Sequence, residues 1–308
     1  MYTRILTPLD GSQLSEQALP YARSLAAGLS LPVTLLHAIE PEVITIPQML
    51  NPSLHVEEMA EYRLRRAGGY ANPLATRLRS HGLDVAVEIP QAEPAAAIVD
   101  EAAKDPGTLI VMSSHGRSGL ARWWMGSVAD KVLHLTSNPL LVIRSMSLPE
   151  APPQTSFDRL TVPVDGSGLA EQILPHVVYL SSAMSLAVNL VRVNPSRDDY
   201  YRSVSLGPSE ETRMVPSYEE YIASMDGVAE DYLSDLKARL TQQGVASVAA
   251  RLLHGPAAAT IADLAAATPN NLVAMTTHGR SGVGRLVLGS VAERVVRQSG
   301  GPVLLIRG

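Results

Sequence analysis

Residues 113–132 read SSHGRSGLARWWMGSVADKV, and residues 276–295 read TTHGRSGVGRLVLGSVAERV. Each copy follows a short apolar run, TLIVM at 108–112 or NLVAM at 271–275. Each then passes through small residues and ends on Gly-Ser before a stretch with helical spacing, VADKVLHL or VAERVVRQ. A strand that gives way to a glycine-punctuated loop and then to a helix start is a phosphate-binding arrangement in many nucleotide folds. The free N–H groups of the first helical turn and the positive end of the helix dipole both face an anion there. Ser127 and Ser290 are expected to cap these helices.

The repetition extends along the chain. RILTPLDGS at 4–12 returns as RLTVPVDGS at 159–167, EPAAAIVDEAAK at 93–104 as GPAAATIADLAAA at 255–267, and NPLLVIR at 138–144 as GPVLLIR at 301–307. So long a period means two tandem domains rather than a solenoid of short repeats. We place them at 1–146 and 157–308, joined by the proline-rich stretch SMSLPEAPPQTSFD at 145–158. The second copy carries a net insertion between Pro195 and Gly244, and the polar, tyrosine-rich stretch 196–224 lies in it. That stretch reads as a disordered loop, with a lid over the second site or a partner-docking loop as the alternative.

Each half alternates strand and helix. In the first, strands are predicted at 4–9, 33–38, 84–89, 108–113 and 140–144, with helices at 13–29, 56–80, 94–104 and 127–135. In the second, strands are predicted at 160–164, 187–193, 246–252, 271–276 and 302–307. This is an α/β pattern of two doubly wound domains, each with a five-stranded parallel sheet covered on both faces. Pro20 and Pro175 fall at matching points inside the first predicted helix and are expected to kink it.

Composition limits the chemistry. The 308 residues carry a net charge of −5, which argues against a nucleic-acid partner. There is no cysteine, which excludes disulfides and thiol catalysis. Lysine is confined to Lys104, Lys131 and Lys237, and none follows the last glycine of either loop, so neither is a Walker A loop. No run is long and apolar enough to cross a bilayer, and the opening MYTRILTPLDGS lacks the apolar core of a signal peptide, so a cytoplasmic location is expected.

With Gly116, Gly126 and Ser127 in one half and Gly279, Gly289 and Ser290 in the other, the chain resembles the tandem universal stress proteins over nearly its whole length. The signature of that family is Gly, two residues, Gly, nine residues, then Gly-Ser or Gly-Thr. Both halves depart from it at one place: the first glycine is Ser113 in one and Thr276 in the other. A side chain there narrows the approach of a nucleotide, threonine more than serine, while its hydroxyl offers a hydrogen bond.

The resemblance implies a Rossmann-like, adenine nucleotide alpha hydrolase-like fold that binds ATP, with or without Mg, in each half. It places Pro8, Leu9, Asp10 and Ala38 on the adenine and ribose side, Met112, Ser113, His115 and Gly116 beneath ribose and phosphates, and Gly126, Ser127, Val128 and Ala129 around the phosphates. The matching positions are Pro163, Val164, Asp165, Val193, Met275, Thr276, His278, Gly279, Gly289, Ser290, Val291 and Ala292. It also implies a nucleotide-dependent stress-response switch with slow hydrolysis at most. The apolar last strands, PLLVIR and PVLLIR, are expected to pair the halves as an intramolecular pseudo-dimer, and a further homodimer is open to them. An adenylating enzyme and a scaffold without ligand are the alternatives. The enzyme reading is weakened by the loop PLDGSQLS at 8–15, which lacks the double glycine of such hydrolases.

Simpler readings stand beside these. Asp10 and Asp165 have the chemistry to bond N–H groups at the next helix start, although a place at a strand's carboxyl end favours ligand contact. Arg117 and Arg280 suit either phosphate or solvent. His115 and His278 are the two histidines present in both copies. No acidic residue stands at a matched position to orient them, so they read as loop scaffolding rather than catalytic bases. The other histidines show no metal-ligand spacing. The adjacent indoles of Trp123 and Trp124 suggest a contact surface, with core packing of one of them as the simpler reading.

Overall fold

A computed structural model of the chain describes residues 1–41, 52–114, 125–144, 155–205, 217–277 and 289–308. Two compact units divide it, Met1–Thr155 and Ser156–Gly308. The first runs β1 (Arg4–Pro8), α1 (Gln13–Glu16), α2 (Leu19–Leu29), β2 (Val33–Leu36), α3 (Pro52–Arg79), β3 (Val85–Glu88), α4 (Pro94–Ala103), β4 (Thr108–Ser113), α5 (Ser127–Leu135) and β5 (Leu140–Ile143). Its strands lie in the order β3-β2-β1-β4-β5 and every pair is parallel. Ile5 is in register with Val33 on one side and with Leu109 on the other. Right-handed crossovers place α2 and α3 on one face and α4 and α5 on the other, where α4 and α5 touch.

A sheet covered on both faces needs continuous apolar strands, and these supply them. Ile5, Leu6, Leu35, Leu36, Leu109, Ile110, Leu140 and Leu141 are all fully buried. Each such side chain contributes about 1.5–3 kcal/mol by leaving water. Valine, leucine, isoleucine and alanine carry the core, in a chain whose aromatic content is only 4%.

The second unit repeats the plan: β6 (Arg159–Pro163), a 3₁₀ turn (Ala170–Ile173), α6 (Leu174–Met184), β7 (Ala187–Asn194), α7 (Arg197–Ser205), α8 (Tyr218–Gln242), β8 (Val248–His254), α9 (Ala257–Ala266), β9 (Asn271–Thr276), α10 (Ser290–Gln298) and β10 (Val303–Ile306). Its order is β8-β7-β6-β9-β10, again parallel throughout. The doubly wound α/β fold expected from the sequence is therefore present twice.

Two expectations need correction. Pro20 and Pro175 do not kink a continuous helix. Each stands in the first turn of a new one, α2 or α6, after a separate turn at 13–16 or 170–173. The proline ring excludes the carbonyl four residues back, that of Glu16 or Glu171, so the helix restarts, and the first turn is where a missing N–H costs nothing. The stretch 196–224 is not simply irregular either. Residues 197–205 form α7, and 218–224 open α8 behind a capping box of Ser217 and Glu220. Tyr200 gathers Tyr201, Tyr218 and Tyr221 around it, with ring centroids 4.7–5.8 Å away. Aromatic stacking thus orders a stretch whose polarity argues for a loop. Residues 206–216, the linker stretch 145–154, and Trp123 and Trp124 lie outside the described residues.

Candidate nucleotide site

In each unit the strand order reverses between the first and fourth strands. There the crossovers diverge to opposite faces and leave a crevice at the strands' carboxyl ends. The two ends of the glycine loop are joined beside that crevice. The Ser114 amide donates to the Ile143 carbonyl at 2.7 Å, and the Gly126 amide donates to the Ser114 carbonyl at 2.7 Å. The second unit matches it, with Thr277 donating to Ile306 at 2.8 Å and Gly289 donating to Thr277 at 2.7 Å. The chain leaves β4 or β9 and is brought back to the same point to begin α5 or α10.

The caps differ from expectation. Gly126 (φ −61°, ψ 147°) and Gly289 (φ −61°, ψ 139°) are the capping residues, while Ser127 and Ser290 are already helical. Neither glycine has a side chain to accept from the first turn, so no cap side chain competes with an outside acceptor for those N–H groups.

The other wall follows β1. Leu9 is held to β2 by its amide, which donates to the Leu36 carbonyl at 2.8 Å. Asp10 Oδ1 accepts from the Ser12 amide at 2.9 Å and from Ser12 Oγ at 2.6 Å, and Ser12 Oγ accepts in turn from the Ser15 amide at 3.1 Å. Asp165 Oδ1 accepts from the Ser167 amide at 2.9 Å, and Ser167 Oγ from the Ala170 amide at 3.1 Å. Between them, Gly11 and Gly166 both take φ 86°, the left-handed region that favours glycine. One oxygen of each aspartate therefore organises the helix start, the simpler of the two readings, and both carboxylates also line the crevice.

One cavity of about 500 Å³ brings together Pro8, Leu9, Asp10, Ala38, Met112, Ser113, Gly126, Ser127, Val128 and Ala129. A second, of about 260 Å³, brings together Pro163, Val164, Asp165, Val193, Met275, Thr276, Gly289, Ser290, Val291 and Ala292. His115, Gly116, Arg117, His278, Gly279 and Arg280 lie outside the described residues. Ser113 and Thr276, the positions that depart from glycine, end β4 and β9 and are buried at 6% and 5% exposure, so neither side chain is turned out to solvent.

Residues that sequence reasoning missed complete the first cavity: Ser15, His37, Glu40, Arg63, Arg66 and Pro94. His37 is buried, with Nδ1 2.9 Å from the Leu9 carbonyl oxygen. A carbonyl only accepts, so Nδ1 carries the proton in that bond. Tyr70 lies against the imidazole at 5.3 Å between centroids and donates from its hydroxyl to Glu16 Oε1 at 3.1 Å. Burial, and then the Glu16 charge, push the Tyr70 phenol well above its ordinary pKa, so it stays a donor.

The second unit carries the matching tyrosine and glutamate, Tyr232 and Glu171, but not the hydrogen bond that joins Tyr70 to Glu16. Arg192 replaces His37 and stands 5.5 Å over the Tyr232 ring. Burial, and then Glu171, raise the Tyr232 phenol in turn. Tyr70 and Tyr232 fix the register between α3 and α8. With those tyrosines matched, the buried Ala67, Ala71, Leu74 and Leu78 of α3 correspond in sequence to the buried Ala229, Leu233, Leu236 and Leu240 of α8. Arg63 and Arg66 then correspond to Met225 and Val228.

Among the described residues no three His, Asp or Glu side chains gather as a metal site, and no helix is long and apolar enough to cross a membrane. The crevice, the glycine-capped helix and the buried strand-end walls define a pair of doubly wound α/β domains, each open at the carboxyl ends of its strands. The universal stress protein family model matches residues 1–144 and again 156–307, and the chain belongs to that family. A universal stress protein of Mycolicibacterium smegmatis is 27% identical over 98% of this chain and 96% of its own. One from Mycobacterium tuberculosis is 26% identical over the same shares. Among solved structures, a universal stress protein from Archaeoglobus fulgidus superposes with a TM-score of 0.68 at 19% identity, over 99% of this chain and 98% of that one.

Proposed function

We propose that this tandem universal stress protein binds ATP in the crevice of its first half and acts as a nucleotide-dependent switch, with slow hydrolysis at most. One observation carries the reading. A single cavity holds a carboxylate suited to a ribose hydroxyl, the glycine-capped start of α5 and two arginines. Each supplies one part of what a nucleoside polyphosphate needs: a hydroxyl acceptor, N–H donors and positive charge. Magnesium belongs to the proposal as a companion of the phosphates rather than as a resident ion. The second half is the weaker case, since Thr276 is bulkier than Ser113 and its cavity is about half as large.

A switch rather than an efficient enzyme is favoured because phosphoryl transfer relies on positioned cations and a group that orients the nucleophile. No lysine lines either cavity among the described residues. Mass spectrometry of ligand released from freshly purified protein tests the reading: an adenine nucleotide supports it. Absence of one, together with no heat of ATP binding in calorimetry, refutes it.

A further inference from the structure

In the second half, α7 and the first turns of α8 are held together by rings rather than by an aliphatic core. Tyr200 is buried at 6% exposure, and Tyr201, Tyr218 and Tyr221 surround it at 5.3, 5.8 and 4.7 Å. No residue of α8 before Ala229 is buried. The outer ring, Tyr201, is 45% exposed.

Charge is gathered on the same pair of helices. Residues 196–205 and 217–231 hold seven carboxylates and two arginines, a net of −5. That equals the net charge of the whole chain, so the rest of the sequence is balanced. Asp198, Glu219, Glu220, Glu230 and Asp231 are all exposed.

This surface already holds one cation. The Arg197 guanidinium lies over the Tyr201 ring, 5.9 Å from its centroid, and 3.5 Å from the Glu219 carboxylate. Arg197 and Glu219 are exposed at 64% and 65%, so the contact faces solvent and is open to exchange. An aromatic face with a carboxylate beside it suits a guanidinium, because the ring quadrupole and the planar N–H fork are met together. Rings already fixed around Tyr200 lose little freedom when a partner arrives.

We propose that α7 and the first turns of α8 form a docking surface for an arginine-rich segment of a partner protein. Tyr201 and its neighbours offer ring faces, while Asp198 and Glu219 offer carboxylates. The concentrated negative charge steers a basic partner toward the helices, and salt weakens the contact. Nucleotide binding is not required for it.

Fluorescence anisotropy of a labelled oligoarginine peptide, titrated with the full chain, tests this. The parent is compared with D198N/E219Q, with Y201S, which changes no charge, and with D84N/D100N, which removes two exposed carboxylates of the first half. Thermal melts check folding. Affinity is expected to fall about tenfold in D198N/E219Q and about threefold in Y201S, the scale of surface ion pairs and of one exposed cation–π contact. D84N/D100N is expected to lose less than about twofold. Hydrogen exchange on the parent, slowed by the peptide at 197–205 and 218–231, supports the proposal without any variant. Four results overturn it: no peptide binding by the parent, protection confined to other segments, unchanged affinity in Y201S, or equal losses in the two carboxylate pairs. Light scattering covers the other occupant. A parent that dimerises and binds no peptide, with D198N/E219Q monomeric, makes a second copy the partner and also overturns the proposal.

Discussion

The Gly126 amide donates to the Ser114 carbonyl at 2.7 Å, and this bond joins the end of β4 to the start of α5. It returns the chain to the end of β4 after eleven intervening residues, 115–125, and sets the start of α5 at the crevice. The equivalent bond from Gly289 to Thr277, also 2.7 Å, shows that the closure belongs to the repeating unit. With no cap side chain, the first-turn N–H groups point to an acceptor that the polypeptide does not itself supply from the cap.

Replacing Gly126 by valine places a branched side chain at that cap, against the ligand's approach. ATP affinity is expected to fall by about ten- to a hundredfold, the scale of one or two charge-assisted hydrogen bonds. Gly289→Val is expected to leave the tight ATP-binding event in place. Calorimetric titration of both variants checks this, and equal losses from the two would contradict it.

Asp10 offers a split between structure and binding. Asp10→Asn keeps an oxygen for the Ser12 amide, whereas Asp10→Ala removes the acceptor. We expect the alanine variant to lose about 1 kcal/mol of stability, the scale of a helix-start hydrogen bond, and the asparagine variant to lose much less. ATP affinity is expected to fall in both. Denaturant melts and titrations, run in parallel, separate the two effects.

Much of this was legible in the sequence. Repetition and strand-helix alternation predict two doubly wound domains, and the position of Pro-x-Asp-Gly-Ser after β1 or β6 predicts the other wall. The arginines were not legible. Arg63 and Arg66 stand in a helix rich in exposed charge, and nothing local distinguishes a side chain that turns toward a strand end from one that faces water. Only the register against buried Ala67 and Tyr70 does so. The helix restart at Pro20 was within reach, because proline is tolerated in a first turn and not in an interior one. Capping was misplaced by one residue because serine is the better cap by propensity, yet the closing bond to Ser114 is made by glycine.

Ser113 and Thr276 test the departure from glycine. Ser113→Gly is expected to change ATP affinity by less than about threefold, while Thr276→Gly strengthens nucleoside binding in the second half. Glycine at a strand end costs stability, on the order of 1 kcal/mol, so both variants need melting curves beside the titrations. Stronger ATP binding in Ser113→Gly alone would reverse the assignment of the weaker site.

A third site of interest is structural. Arg4 Nε donates to Thr108 Oγ1 at 2.9 Å, and its Nη1 donates to Glu101 Oε1 at 2.8 Å, tying β1 to β4 and α4. Burial pushes the Glu101 carboxyl up, but Lys104 and Arg4 outweigh it and hold its pKa below the ordinary value. The stabilisation is therefore present above the unfolded carboxyl pKa and is lost as pH falls through the lower folded value. Arg4→Ala is expected to cost about 1–3 kcal/mol near neutral pH and to flatten the acid limb of the stability curve. Urea melts across pH check both the size and the sign.

The central claim is that the first half is a working ATP site. Titrating the purified full chain with ATP, after stripping any retained ligand, tests it most directly. We expect one tight binding event per chain that disappears in Gly126→Val and persists in Gly289→Val. No heat of binding from the parent, or a tight event that survives Gly126→Val and is lost in Gly289→Val, would contradict the account.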